Sequence, residues 1–260
     1  MRIALVVCLL FPCGVRAQRL KPETSQAYDC YLQAAEGRMS ARKALPVAEG
    51  EKVRTLEANG PNPHELPGGQ LYDWIGAIFI PGTTLERLIP MLQDYDHRSQ
   101  NFPETISASK LLCLSGSDHF QYSMRMKEPA ILDVTSDVVW EHVDAQHWRC
   151  RSVSTHVAEV GKDHGYLRRL NSYWQFAETG KGVFVEAETI TLSDEFGSLT
   201  RMLGSALMGI NPEKSFRHSL ISMRESALRP GLAIPKLPSA LPACGEPVPR
   251  AVCASAPVSK

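Results

Sequence analysis

The chain has 260 residues, 43% of them hydrophobic, which is enough for one ordinary core with extensions at its ends. Lys plus Arg and Asp plus Glu balance at 28 each, so no global charge steers the protein toward nucleic acid or an anionic membrane.

Met1 and Arg2 precede the apolar run Ile3 to Phe11, and Val15-Arg16-Ala17 stands before Gln18. A charged start, a short apolar run and a small-residue cleavage site read as a signal peptide over 1–17, with Gln18 as the first mature residue. The expected location is therefore the periplasm or the medium. The run is far shorter than the roughly 20 residues needed to span a bilayer, and no later stretch comes closer. No transmembrane segment is expected, and any membrane contact would be transient. Cleavage leaves Cys30, Cys113, Cys150, Cys244 and Cys253, an odd number, so at least one thiol stays free or pairs between chains. Cys150 lies in a strand pattern as a small core residue, whereas Cys244 and Cys253 share the Pro-rich tail and are placed to close a small loop.

Residues 18–65 read as a helical extension and linker. The helix, from about Thr24 to Leu45, has Tyr28, Leu32 and Ala35 on a thin apolar face and is expected to dock only loosely. Asn59 to Gly69 is dense in residues that break helix and strand, which sets the boundary of the main domain, 66–229. Leu71 to Ile80 is its first strand, ended by Pro81-Gly82. Thr83 or Thr84 then caps a helix with Leu85, Leu88, Ile89 and Leu92 on one face, running into Asp94-Tyr95-Asp96-His97.

Strands follow. Phe120, Tyr122, Met124 and Met126 alternate with His119, Gln121, Ser123 and Arg125, so one face is buried and the other wet. Leu132, Val134, Val138 and Trp140 share a face, and the chain turns at Val143 to Gln146. The returning strand carries Trp148 and Cys150, and the same face extends to Ser152, Ser154 and His156. In the last hairpin, turned at Thr179-Gly180-Lys181-Gly182, Leu170, Ser172, Trp174 and Phe176 face inward with Val185, Ala187 and Thr189. Arg169, Glu186 and Glu188 then fall on the wet face as ordinary cross-strand charges. Ser198 or Thr200 begins a C-terminal helix with Met202 and Leu203. A fresh start at Asn211-Pro212 continues through Phe216, Leu220, Met223 and Ala227. Residues 230–260 form a Pro/Ala-rich tail.

This order predicts an α+β fold, a curved antiparallel sheet wrapped around a long C-terminal helix. It resembles the helix-grip fold of the START-like superfamily (SRPBCC, with polyketide cyclase-like and lipid-transfer domains) over about Leu66 to Leu228. Asp73-Trp74-Ile75-Gly76-Ala77, Leu92-Gln93-Asp94-Tyr95-Asp96-His97, and Asp163-His164-Gly165 with Leu170-Asn171-Ser172-Tyr173-Trp174 are similar to a branch of exported bacterial proteins.

The resemblance implies a cavity between sheet and helix, lined by Tyr122, Met124, Trp148, Ser152, Ser154, His156, Ser172 and Trp174, with Met202, Leu203 and Met223 from the helix. Its expected occupant is an apolar or amphipathic small molecule such as a lipid, a quinone or a polyketide-like compound. A cyclase- or hydrolase-like enzyme in the same cavity would use His156 as acid or base with Ser154 nearby, although no Gly-flanked elbow presents a nucleophile. Neither cofactor nor metal is expected. Asp94, Asp96, His97 and Glu104 lack the spacing of a calcium loop, and His142 and His147 have no third ligand in register.

Overall fold

The computed structural model describes residues 20–42, 44–47, 51–127, 130–195, 212–230 and 241–253. The signal segment 1–17, the start of the C-terminal helix at Ser198 or Thr200, and both Met202 and Leu203 lie outside the described residues. In chain order the elements are α1 (Pro22–Ala41), β1 (Arg54–Glu57), β2 (His64–Leu66), β3 (Gly69–Pro81), α2 (Leu85–Gln93) and α3 (Arg98–Asn101). Then come β4 (Ile106–Ser115), β5 (His119–Met126), β6 (Leu132–Asp144), β7 (His147–Glu159), β8 (Arg169–Thr179), β9 (Gly182–Asp194) and α4 (Pro212–Ala227).

The strands among the described residues form one antiparallel sheet in the order β1-β3-β9-β8-β7-β6-β5-β4, with β2 on the flank of β3. The first long strand, β3, pairs with the last, β9, from Gly69↔Asp194 to Pro81↔Gly182, one strand in from the β1 edge. With α4 packed on one face, this is the α+β helix-grip arrangement. The Pro-, Gly- and Asn-rich stretch before Gly69 is no linker, because β1 and β2 both pair with β3 and so belong to the sheet. Asn62 in that stretch receives the Asp73 backbone N–H at 2.8 Å and donates to the Asp73 carbonyl at 3.0 Å, copying a strand pairing with a side chain.

Alternation along the strands sorts two faces. The inner face carries Ile78, Ile80, Phe120, Tyr122, Val138, Trp140, Cys150, Phe176, Val183, Val185 and Ala187, which form one cluster with α2 and with Phe216, Leu220, Met223 and Ala227 of α4. Close approach of α4 depends on Gly76. A Cβ there would meet Leu220 Cδ1 well inside van der Waals contact and Phe216 Cε1 at 2.8 Å. Gly76→Ala is expected to push α4 off the sheet and cost about 1–3 kcal/mol, as overpacking does. An unchanged urea midpoint would show that α4 does not rest on this strand.

The outer face is wet only in part. α1 lies on it, burying Tyr28, Leu32, Ala35 and Met39 against Leu71, Ile190 and Leu192. Tyr28 donates to the Ile190 carbonyl at 2.8 Å, Tyr173 donates to Glu36 at 3.0 Å, and Arg169 stacks on Tyr28 while pairing with Asp29. The extension expected to dock loosely is therefore an integral layer. Two disulfides complete the outer layer and correct the expected Cys244–Cys253 loop, since the bonds are Cys30–Cys253 and Cys113–Cys244. Among the described residues Cys150 is the free thiol, buried as expected of a core cysteine.

Between the two bonds the segment 244–253 runs as a strap from β4 to α1. The Leu114 N–H donates to the Pro242 carbonyl, Ser115 to the Cys244 carbonyl and Arg151 to the Val248 carbonyl. Val248 N–H donates to Asp137 at 3.0 Å and Cys253 N–H to Gln33 at 2.8 Å. His119, expected on a wet face, is buried beside the strap with its Nε2 2.7 Å from Asp137 Oδ1.

The Asp163-His164-Gly165 segment has a structural purpose. Gly165 adopts φ 78°, a conformation that favours glycine, and its carbonyl accepts the Asp194 N–H at 2.9 Å. Arg168 then bridges Asp163 at 2.7 Å and Asp194 at 2.5 Å, fastening the loop before β8 to the end of β9.

Candidate functional site

All four tryptophans stand on the inner face, because Trp74, Trp140, Trp148 and Trp174 share the parity of the core-facing residues in their strands. Trp140 is buried and donates its Nε1 to the Tyr95 hydroxyl at 2.9 Å. Trp74, Trp148 and Trp174 are only half-buried although they sit on long strands of the sheet. Trp74 also carries a buried Nε1 with no hydrogen-bond partner, the kind of orphan donor that native interiors rarely leave without a use.

Beside these rings runs a polar strip. Cross-strand pairing aligns Val138↔Ser152, Ser152↔Ser172 and Ser172↔Thr189, and Ser172 Oγ lies 3.3 Å from Thr189 Oγ1. Ser152, Ser172 and Met124 are half-buried, whereas Tyr122 and Met223 are buried. The described residues thus place Tyr122, Met124, Trp148, Ser152, Ser154, Ser172, Trp174 and Met223 on one side of the sheet.

His156 is not among them. The β6–β7 register steps from Thr135↔His156 to Ser136↔Ser154, leaving Thr155 as an extra residue, a bulge. Each residue beyond a bulge changes face. His156 is exposed on the outer side, near Asp133, whose pKa is lowered chiefly by its hydrogen bond with Arg125, while Val157 takes the inward position. Ser154 stays inward, but its Oγ accepts the Leu170 backbone N–H at 2.8 Å, just past the last β7–β8 pair at Val153↔Asn171. The hydroxyl closes the sheet where pairing ends. The His156/Ser154 acid–base pair is therefore corrected, because its members lie on opposite faces.

Arg98 belongs to no motif in the sequence, yet the fold gives it an unusual setting. Its guanidinium lies 4.7 Å from the Tyr95 ring centre, 5.0 Å from Tyr122 and 5.5 Å from Phe102. Tyr122 in turn stacks on Tyr95 at 4.4 Å between ring centres. Nη2 donates to the Leu92 carbonyl at 3.0 Å, and Nε is buried with no hydrogen-bond partner. Among the described residues no carboxylate pairs with it. Burial pushes the nearby Cys150 thiol up to about 12, so the thiol is neutral at pH 7 and offers no counter-charge. The signal available in the sequence was the spacing Tyr95, Arg98, Phe102, which puts a lone cation between two rings.

Arg169, Glu186 and Glu188 are on the outer face as expected, but not as exposed cross-strand pairs. Glu186 and Glu188 are buried and both pair with Arg42, just beyond α1. Asp73, fully buried, accepts from Tyr31 at 2.9 Å and Arg38 at 3.3 Å. Three carboxylates thus face two guanidinium groups under α1. Burial first, and then the Glu188 charge, raise the Asp73 pKa to about 7; burial raises Glu188 as well, against the pull of Arg42. A groove of about 400 Å³ opens near this layer, lined by Ala44, Asp144, Trp148, Arg149, Gln175, Phe176 and Glu186 among others; it reaches Trp148 and Phe176 but none of Ser152, Ser172 and Thr189. The clusters around Asp94, Asp96 and His97 are local: Asp94 contacts His97 at 2.8 Å and Asp96 pairs with Lys110 at 2.9 Å.

The curved antiparallel sheet with α4 packed on its inner face is a helix-grip fold. Compared with known proteins, the chain matches no family model and no curated protein. Among solved structures it is similar to a STAR-related lipid transfer protein from Xanthomonas axonopodis, at 14% identity over 67% of this chain and 99% of that one, TM-score 0.46. It is also similar to human StAR-related lipid transfer protein 5, at 10% identity over 78% and 97%, TM-score 0.43. A third is the Zhui aromatase/cyclase from Streptomyces sp. R1128, at 10% identity over 61% and 93%, TM-score 0.43. Among the described residues no helix is long and apolar enough to cross a membrane.

Proposed function

We propose that this protein is an exported carrier holding an apolar or amphipathic small molecule, of lipid, quinone or polyketide-like character, between the inner face of its sheet and the C-terminal helix. The observation that carries this reading is the half-burial of Trp74, Trp148 and Trp174 beside the Ser152–Ser172–Thr189 strip. Large rings left partly open beside a few polar groups are how small-molecule sites are built, and apolar contact supplies about 25 cal/mol per Å² removed from water. The Trp74 Nε1 donor, without an acceptor, is available to fix an orientation. Export is supported by the apolar start of the chain and by the two disulfides, which persist in oxidising compartments.

Native mass spectrometry of protein recovered from its producing cells, followed by denaturing extraction, tests the carrier role. A stoichiometric small molecule is expected. Trp174→Ala should weaken its retention about tenfold, the effect of truncating one aromatic anchor. His156→Ala, on the far side of the sheet, should change retention by less than about twofold. A protein that emerges empty and binds no apolar probe, or one whose binding follows His156 and ignores Trp174, would overturn the proposal.

A further inference from the structure

The geometry points to a carboxylate on the ligand: we propose that Arg98 is the anchor for the acid end of an amphipathic molecule whose apolar body lies along the tryptophan-lined face. This rests on the ligand-holding reading above and adds the chemistry of the head group. Four observations carry it. Arg98 is a permanent cation set against the inner face, collared by Tyr95, Phe102 and Tyr122. No acidic side chain among the described residues neutralises it, and the nearby Cys150 thiol is neutral. Nη2 reaches the Leu92 carbonyl, while Nε is left buried without an acceptor. The residue keeps partial exposure despite its aromatic collar.

A guanidinium placed among rings without a counter-charge is costly unless something anionic completes it. Stacking on the rings offsets part of that cost and also fixes the plane of the fork. A planar carboxylate presents two oxygens in the plane that the fork requires and brings the single negative charge that balances it. A phosphate monoester would bring a charge of about −1.5 to −2 and leave an uncompensated excess beside apolar rings. The position also suits the architecture. Tyr122, under Arg98, faces inward on β5, so an acid bound there would extend its chain past Ser136 and Ser152 toward Trp174 on β8.

The test uses the full-length protein and two probes that differ only in the head group, a fluorescent polyene fatty acid and its methyl ester. Binding is read by energy transfer from the inner-face tryptophans. The acid is expected to bind at least about tenfold more tightly than the ester. Arg98→Met should remove that preference and leave ester binding within about twofold, and Arg98→Lys should restore part of it. Equal binding of acid and ester by the unaltered protein overturns the role of Arg98 while leaving the carrier reading intact. Failure of both probes to bind overturns the carrier reading and the Arg98 role with it. Because the acid-to-ester ratio is measured first on the unaltered protein, the carboxylate preference is decided even if a variant fails to fold.

Discussion

Reducing the two disulfides is expected to produce the largest loss of stability open to this protein without changing its sequence. Cys30–Cys253 joins residues 223 apart and Cys113–Cys244 residues 131 apart. In the chain-entropy account, closing a loop of either size lowers the entropy of the unfolded chain enough to stabilise the fold by about 5 kcal/mol, and less for whichever bond forms second. That is comparable with the whole stability of many domains, about 5–15 kcal/mol. The paired variant Cys30→Ser with Cys253→Ser should therefore lower the urea midpoint strongly. It should also release the N–H of Cys253 from Gln33 and weaken the 2.9 Å contact of Arg250 with Glu36. Hydrogen exchange should show α1 losing protection before the inner core. Identical midpoints with and without reductant would remove the strap from any account of stability.

Raising the pH from about 5 to about 8.5 should loosen the same layer by a different route. Asp73 has a pKa of about 7 in the folded protein, above the usual carboxylate value, because it is buried and lies next to Glu188. A carboxyl whose pKa rises on folding binds its proton more tightly in the folded state. Its contribution is complete below about pH 4, the unfolded value, and is lost as pH rises through about 7. The charge count under α1 gives the reason. Arg38 and Arg42 balance two of the three carboxylates Asp73, Glu186 and Glu188, and the third is tolerated when it holds a proton. Ionising it without a partner sets the loss at a few kcal/mol, on the order of the cost of one buried unpaired charge. Asp73→Asn removes the titrating group and keeps an oxygen to accept from Tyr31. Relative to the unaltered protein, this variant should gain stability as the pH rises through that range. A constant difference between the two would show that Asp73 is ionised throughout.

The face assignments were legible because strands alternate with a strict period of two, and the runs Phe120-Tyr122-Met124 and Leu170-Ser172-Trp174 leave little choice. Glycine-marked turns gave the hairpins. Three features escaped for separate physical reasons. A bulge inserts one residue without any residue type that announces it, so the alternation carried His156 to the wrong face. The docking of α1 depends on long-range pairs, Arg42 with Glu186 and Glu188 and Tyr28 with Ile190, which no local pattern displays. Its thin apolar stripe understated the contact. Cysteine pairing follows spatial proximity and cannot be read from spacing alone. The inward row Tyr122, Met124, Trp148, Ser152, Ser172 and Trp174 was legible as one face of the sheet, but the setting of Arg98 was not, because a single arginine after a helix ordinarily caps it or faces solvent. The third ring of its collar, Tyr122, meets it only when β5 folds against α3.

The bond between Cys30 and Cys253 makes most of the polypeptide a covalent ring. A single cut in an exposed hairpin, such as the turn at Asp144 to Gln146, opens the ring without freeing a fragment. The nicked molecule would migrate as one species until reductant is added, and each half would stay within reach of the other. Against proteases, damage that severs the chain therefore need not dismantle the fold.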